Sequence, residues 1–158
     1  MRRLLAILTL LVATSATAHA QSIRLDEPIP AISVEPSISN ILELYNREYT
    51  CLIFAHSESG PCVDAMREFN AIAKQIDLAC AIVIITGEDS ADSKDIIQRL
   101  DIEDYILAFD VDNHTLNAFG IQYVPFAVVY RSKNSRIEWF GPMHHVDDYI
   151  LRPWGLFR

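Results

Sequence analysis

Two short, almost uninterrupted apolar runs constrain the fold of this chain more than any other feature. Residues 50–55 and 80–85 are rich in strand-forming side chains and carry no charge. Strands buried on both faces have this composition, and they occur mainly in parallel sheets covered by helices. Between the two runs, apolar residues recur at helical spacing from Val63 to about Ile76. The sequence therefore predicts a strand–helix–strand unit in an α/β domain.

The rest of the chain continues this alternation and ends with a hairpin. The pattern predicts further helices at 41–47, 93–100, 115–119 and 146–151. It predicts further strands at 105–109, 126–130 and 137–140, with a turn at 133–135 between the last two. Strands that alternate with crossover helices run parallel, whereas a hairpin is antiparallel. The predicted fold class is α/β, with a central mixed sheet flanked by helices.

The first twenty residues have the features of a secretory signal peptide. A basic start precedes an apolar run, Leu4–Val12, and Ala18-His19-Ala20 gives a small-residue cleavage pattern. The apolar run is shorter than the roughly 20 residues that span a bilayer. We therefore expect residues 1–20 to be removed and the protein to be periplasmic or otherwise exported, with no membrane attachment afterwards. A retained N-terminal anchor is the alternative.

Domain boundaries follow from the proline content. Residues 21–37 contain Pro28, Pro30 and Pro36 and predict an extended lead-in. Residues 38–158 form the predicted domain, in which we find no repeat and no internal linker. The formal net charge of −8 argues against nucleic acid and anionic lipid as partners, since both need a basic surface.

The stretch Ser59-Gly60-Pro61-Cys62 lies at the junction between the first buried strand and the helix after it. The stretch resembles the Cys-Gly-Pro-Cys redox box of thioredoxins, with serine in the place of the first cysteine. Pro61 suits a first helical turn, and Ser59 is a candidate to cap that helix through its hydroxyl.

Together with a second run, this arrangement resembles the thioredoxin superfamily, in particular the TlpA/ResA-like exported branch. The second run reads Phe109-Asp110-Val111-Asp112, then Leu116-Asn117-Ala118-Phe119-Gly120-Ile121, then Val124-Pro125-Phe126. The resemblance covers about residues 38–152 and implies a thioredoxin-like fold.

The resemblance also implies roles for individual residues. Position 59 is the place of the attacking cysteine and Cys62 that of the resolving one. Pro125 would be a cis-proline that faces the box, and the backbone of Val124 would pair with an extended peptide. Gly60 and Pro61 would complete the substrate-binding surface.

Three departures from the family pattern lie at this surface. Glu58 stands where the family has tryptophan, Ser59 where it has cysteine, and Phe126 where threonine usually follows the proline. The usual exchange cycle needs two sulfurs, and a serine hydroxyl cannot replace the first. These departures predict that the scaffold is kept and its standard chemistry altered.

Three functions remain open at this point. The first is a protein of thiol–disulfide type that forms mixed disulfides with a protein or peptide partner through Cys62, or binds it at the cis-proline loop. The second is a binding module with a dead redox site. The third is a monothiol peroxidase, because Ser59-x-x-Cys62 is similar to the Thr/Ser-x-x-Cys of peroxiredoxins. Ala55 stands where that pattern has proline.

The other cysteines and the histidines offer weaker candidates. Cys51 and Cys80 lie near the start of the two buried strands, far from the box. They are either two buried thiols or a disulfide, and we favour the buried thiols. His56 is a candidate base or metal ligand near Cys62. The pair His144-His145 either begins the last helix or supplies a ligand to a copper or zinc site with Cys62 and His56. No ligand spacing supports a metal site, and we predict neither metal nor cofactor.

Overall fold

A computed structural model of the chain describes residues 23–36, 46–73, 80–102 and 105–143. The predicted signal peptide, the last predicted helix and His144-His145 lie outside the described residues, as does all of the first predicted helix before residue 46.

Five strands and three α-helices follow each other in the described residues. The strands are β1 Tyr49–Phe54, β2 Cys80–Thr86, β3 Ile106–Phe109, β4 Phe126–Arg131 and β5 Arg136–Pro142. The helices are α1 Gly60–Ala73, α2 Ser93–Leu100 and α3 His114–Ala118, with a 3-10 turn at Ser90–Asp92 before α2. The strands and α-helices lie within a few residues of their predicted positions, whereas the 3-10 turn was not predicted.

The strands form one mixed sheet in the order β3-β2-β1-β4-β5. Strands β1, β2 and β3 pair in parallel, whereas β4 pairs antiparallel with both β1 and β5. The predicted fold class is confirmed. Parallel pairing places the carboxyl ends of β1, β2 and β3 at one edge of the sheet, and the loops after them meet there.

Each face of the sheet has its own apolar core. On the first face, Ile53 and Ile84 pack with Met66 and Phe69 of α1. The core on the second face contains the alternate residues of the strands, whose side chains point the other way, and residues of the segment after β3. Its buried members include Leu52, Phe54, Val83, Ile85, Phe119 and Val128. This alternation explains why the two apolar runs carry no polar face, since both of their sides are covered.

The described part of the lead-in, residues 23–36, crosses the second face from one outer strand to the other, and we call it the strap. Its apolar side chains Ile29, Ile32 and Val34 pack on the second core. At β5, Pro28 forms a bridge with Arg136, and at β3 Glu35 exchanges two backbone hydrogen bonds with Phe109, at 2.9 and 2.7 Å. The strap thus pairs with both edges of the sheet, where unpaired backbone groups would otherwise invite association.

Candidate functional site

Ser59 is the residue directly before α1, at the edge where the parallel strands end. Its carbonyl accepts the Val63 N–H at 3.0 Å, and its own N–H donates to the His56 carbonyl at 3.0 Å. Ser59 is half-buried, while Gly60 and Pro61 are exposed. Within the described ranges the Ser59 hydroxyl makes no hydrogen bond to the helix, so the predicted side-chain cap is replaced by a backbone contact.

Cys62 lies in the first turn of α1 and is fully buried, with 0% of its surface exposed. It belongs to the first core, together with Ala55, Met66 and Met143. The sulfur is therefore shielded from solvent. A reagent or partner sulfur can reach it only after the first turn of the helix or its neighbours move.

Cys51 and Cys80 are also buried, and none of the three cysteines is in a disulfide. Cys80 pairs in register with Tyr49, two residues before Cys51. At standard strand spacings the two Cα atoms are then roughly 8 Å apart, beyond the ~7 Å limit for an unstrained disulfide. Burial raises the pKa of Cys80 to about 12 and that of Cys51 well above its usual range, where the nearby Cys80 adds to the effect. Both groups are therefore neutral thiols at physiological pH.

A carboxylate that the sequence did not single out fixes the loop before Ser59. Glu88 follows β2 and accepts three hydrogen bonds, from the Ser57 N–H at 2.8 Å, the Ser57 hydroxyl at 2.5 Å and the Thr86 hydroxyl at 2.7 Å. Its side chain is only 12% exposed. The predicted parallel pairing of β1 and β2 could have revealed this contact, because it brings the residues that follow the two strands together.

The pKa of Glu88 reflects this surrounding. Burial acts to raise it, but the hydrogen bonds from Ser57 and Thr86, with His56 nearby, outweigh burial and hold the pKa of Glu88 below its ordinary value of 4.5. Glu88 is therefore an ionised anchor for the loop at neutral pH.

His56 takes part in the same loop. Its Nδ1 accepts the Glu58 N–H at 3.2 Å and lies 3.7 Å from a Glu88 carboxylate oxygen. The side chain is about half exposed. In the ranges that the structure describes, no group of three or more His, Cys, Asp and Glu side chains is placed to hold a metal ion. The hydrogen bond from the Glu58 N–H gives His56 a local structural role in this loop.

The Val124–Pro125 peptide bond is cis. Phe126 pairs with Phe54 at the end of β1, so Pro125 lies beside Ala55 and at the same edge as the Ser59 loop. Pro125 is buried and its carbonyl accepts the Met143 N–H at 3.2 Å. Val124 is half-buried, and among the described residues its own N–H and C=O have no hydrogen-bond partner.

Two pockets open beside Val124 and the loop after β3. The first, which we call the apolar pocket, has a volume of about 190 Å³ and is lined by Phe54, Ala55, His56, Ile85, Gly87, Asp110, Asn113, Leu116 and Val124. The second, which we call the acidic pocket, has a volume of about 400 Å³ and is lined by Ser33, Val34, Glu35, Ser90, Phe109, Asp110, Val111, Asp112 and His114. The two pockets share Asp110.

Asp110 gives this region its shape. Only 3% of the residue is exposed, and its carboxylate accepts the backbone N–H groups of Thr115 at 3.1 Å and Leu116 at 2.9 Å. These are first-turn donors of α3, which have no partner inside the helix. The family-like run from Phe109 thus fixes the helix that forms one wall of the apolar pocket.

No family model matches the chain, and no curated protein matches it either. Solved structures do match. A thioredoxin-like protein in its oxidised form aligns with 84% of this chain and 95% of its own at a TM-score of 0.67 and 17% identity. The thioredoxin domain of a thiol-disulfide oxidoreductase from Bacteroides vulgatus aligns with 82% and 99%, at a TM-score of 0.62 and 13% identity.

The fold is the thioredoxin fold. Reduced Prx3 from Vibrio vulnificus shares it too, at a TM-score of 0.62 and 15% identity over 84% of this chain and 99% of that one. Within this fold, Ser59 and Cys62 occupy the start of α1 and Val124-Pro125 the loop before β4. As to membranes, none of the helices in the described ranges has the length and apolar character needed to span one.

Proposed function

We propose that this is an exported thioredoxin-fold protein of thiol–disulfide type that has lost disulfide-exchange turnover and binds an extended peptide segment of a partner protein at Val124-Pro125. The observation that carries the proposal is the state of the two redox positions. A serine, Ser59, stands at the position of the attacking cysteine. The cysteine at the resolving position, Cys62, is fully buried, with 0% of its surface exposed.

The chemistry of exchange explains why this arrangement does not turn over. A thiolate must attack the substrate disulfide, and a second thiol must then release the mixed disulfide. In the described part of the chain, the Ser59 hydroxyl has no hydrogen-bonded base that could activate it. The neutral, buried thiols of Cys51 and Cys80 lie toward the other end of their strands and cannot serve as substitutes.

Peptide binding needs no sulfur. Within the described residues the N–H and C=O of Val124 have no hydrogen-bond partner, so they offer one donor and one acceptor of the kind that strand addition uses to recognise an extended segment. The adjacent Tyr123 is 52% exposed and its ring contacts Phe126 edge to face at 5.8 Å. Aromatic residues, tyrosine among them, are enriched where proteins contact their partners.

A mixed disulfide through Cys62 is the second candidate, and the place of Cys62 in the first turn of α1 favours it. This function requires α1 or its neighbours to open before the sulfur can react. The two candidates differ in one respect: only the mixed disulfide depends on sulfur in both partners.

The test uses cysteine-free peptides. A pool of nine-residue peptides of random sequence without cysteine is added to the purified ¹⁵N-labelled protein and to its Cys62→Ala variant. We expect the amide signals of Tyr123 and Val124 to shift in both proteins. No shift at Val124 with any pool would contradict peptide binding there. Retention of a peptide whose cysteine enters as a disulfide, with release of the displaced thiol and with loss of both in Cys62→Ala, would establish the mixed-disulfide function.

Export is part of the proposal and rests on the features of residues 1–20. If the segment is removed after Ala20, mass spectrometry of the secreted or periplasmic protein should give Gln21 as the first residue. Recovery of the protein with an intact Met1 in the membrane fraction would instead establish the retained anchor.

A further inference from the structure

We infer that the apolar and acidic pockets are adjoining subsites that select one apolar and one basic side chain in the segment bound at Val124. This inference rests on the proposed peptide binding and names its sequence preference. It depends on three observations, namely the composition of each pocket, the residue that they share and the place of Val124 in the wall of the first.

The apolar pocket is suited to a large apolar or aromatic side chain. Its wall is formed mainly by Phe54, Ala55, Ile85, Leu116 and Val124. An apolar cavity of about 150 Å³ is sufficient to admit a benzene ring, and this pocket of about 190 Å³ is slightly larger.

Two of the polar side chains of this pocket already accept hydrogen bonds. Both carboxylate oxygens of Asp110 accept backbone N–H groups, and Nδ1 of His56 accepts that of Glu58. Asn113 lies over Gly87, with its Oδ1 only 2.7 Å from where a Cβ at Gly87 would stand. The Asp110 carboxylate is thus not free to pair with an entering cation, and the five apolar residues of the wall favour a hydrocarbon side chain over a charged one.

The acidic pocket has the opposite character. Glu35, Asp110 and Asp112 line it, and its lining includes no lysine and no arginine. Glu35 and Asp112 are exposed, and neither carboxylate has an ion-pair partner among the residues that the structure describes. His114 is the one group in the lining that could oppose them, when protonated. Charge complementarity selects a lysine or arginine side chain here.

The geometry of an extended segment connects the two preferences. Side chains i and i+2 of a strand point to the same side and are about 6.6–6.8 Å apart. Val124 is in the wall of the apolar pocket, and Asp110 joins that pocket to the acidic one. A segment paired with the Val124 backbone can thus place an apolar residue in the first pocket and a basic residue, two positions away, over the second.

The probe is a fluorescein-labelled nine-residue peptide of serine and threonine with one phenylalanine and, two positions later, one arginine. Its partners carry alanine for phenylalanine, glutamate for arginine, or both. We expect the phenylalanine-to-alanine change to weaken binding by about tenfold to a hundredfold, from the apolar area lost. The arginine-to-glutamate change should weaken it by about threefold to tenfold, and less at high salt.

Matched variants locate the effect. Leu116→Trp fills the apolar pocket and should abolish the preference for phenylalanine, whereas Leu116→Met keeps the volume and should preserve it. Glu35→Gln with Asp112→Asn should abolish the preference for arginine. Glu68→Gln with Asp95→Asn removes the same charge from exposed positions outside both pockets and should leave that preference intact.

The outcomes separate this inference from the function on which it rests. Equal binding of all four peptides, with the Val124 amide still shifting, overturns the two subsites and leaves peptide binding in place. Preferences that persist in Leu116→Trp and in the Glu35/Asp112 variant also overturn it. Absence of binding by every peptide, random pools included, overturns both proposals.

Discussion

Replacing Ser59 by cysteine should give this protein a disulfide-reductase activity at least about tenfold above that of the unmodified chain, through a thiolate favoured at the start of a helix. Position 59 directly precedes α1, where backbone N–H groups and the helix dipole stabilise negative charge. Cys62 follows in the first turn, within the distance at which residues three apart on a helix contact each other. Ser59→Cys thus supplies an attacking sulfur and leaves the resolving sulfur in place.

Insulin reduction with dithiothreitol as electron donor measures this gain. Two controls accompany it. The unmodified protein should reduce insulin at the background rate, and its Cys62 should react with iodoacetamide only slowly unless urea is added, because the residue is fully buried. A Ser59→Cys/Cys62→Ala variant should accumulate mixed disulfides without turning over. If Ser59→Cys forms no bond between positions 59 and 62 and shows no activity, position 59 is not the place of the lost nucleophile.

Glu88→Gln should lower the free energy of unfolding by about 1–3 kcal/mol, because charge-assisted hydrogen bonds to a largely buried carboxylate are replaced by weaker ones. Ser57 and Thr86 donate to this carboxylate through one N–H and two hydroxyls. A glutamine amide has only one oxygen that can accept hydrogen bonds from these donors. Its NH₂ group is itself a donor and would face the remaining donors without forming a hydrogen bond. Urea unfolding at pH 7 measures the change through the transition midpoint.

The pH dependence of this effect has a definite sign. The pKa of Glu88 is lower in the folded protein than its ordinary value of 4.5. Its ionised form therefore contributes stability that is complete above about pH 4.5 and is lost as the pH falls through the folded pKa. The difference in stability between the unmodified protein and Glu88→Gln should shrink as the pH is lowered from 5 toward 3.

Glu58→Gln is the matched control for Glu88. Glu58 belongs to the same loop but is exposed, and it pairs with Arg99 at 3.4 Å across the surface. Such exposed pairs contribute roughly 0–1 kcal/mol, so this variant should be nearly as stable as the unmodified protein. Equal losses in both variants would mean that Glu88 does not anchor the loop.

The sheet and its helices were predictable because their signals are local. The runs around Ile53 and Ile84 are apolar on both faces, and the helical spacing from Val63 is regular enough to define α1. The candidate site at the junction of β1 and α1 has another source, the resemblance of the stretch from Ser59 to Cys62 to a redox box.

The rest of the site depends on contacts between distant parts of the chain. Nothing near Glu88 in the sequence indicates that Ser57 lies against it, because parallel pairing of β1 and β2 creates that contact. Cys62 is buried in a core that also contains residues from distant parts of the chain, Met143 among them. The docking of the strap could not be foreseen for the same reason, since its prolines indicated only an extended conformation.

The strap also determines when the fold can be completed. The Asp26 carbonyl accepts a hydrogen bond from the guanidinium of Arg136, which lies 110 positions later in the chain. A growing polypeptide therefore emerges from the ribosome with its amino-terminal segment unable to dock, and the last contacts form only after synthesis has passed β5. Such long-range closure slows folding, because the entropy of closing a long loop is lost before its contacts can form.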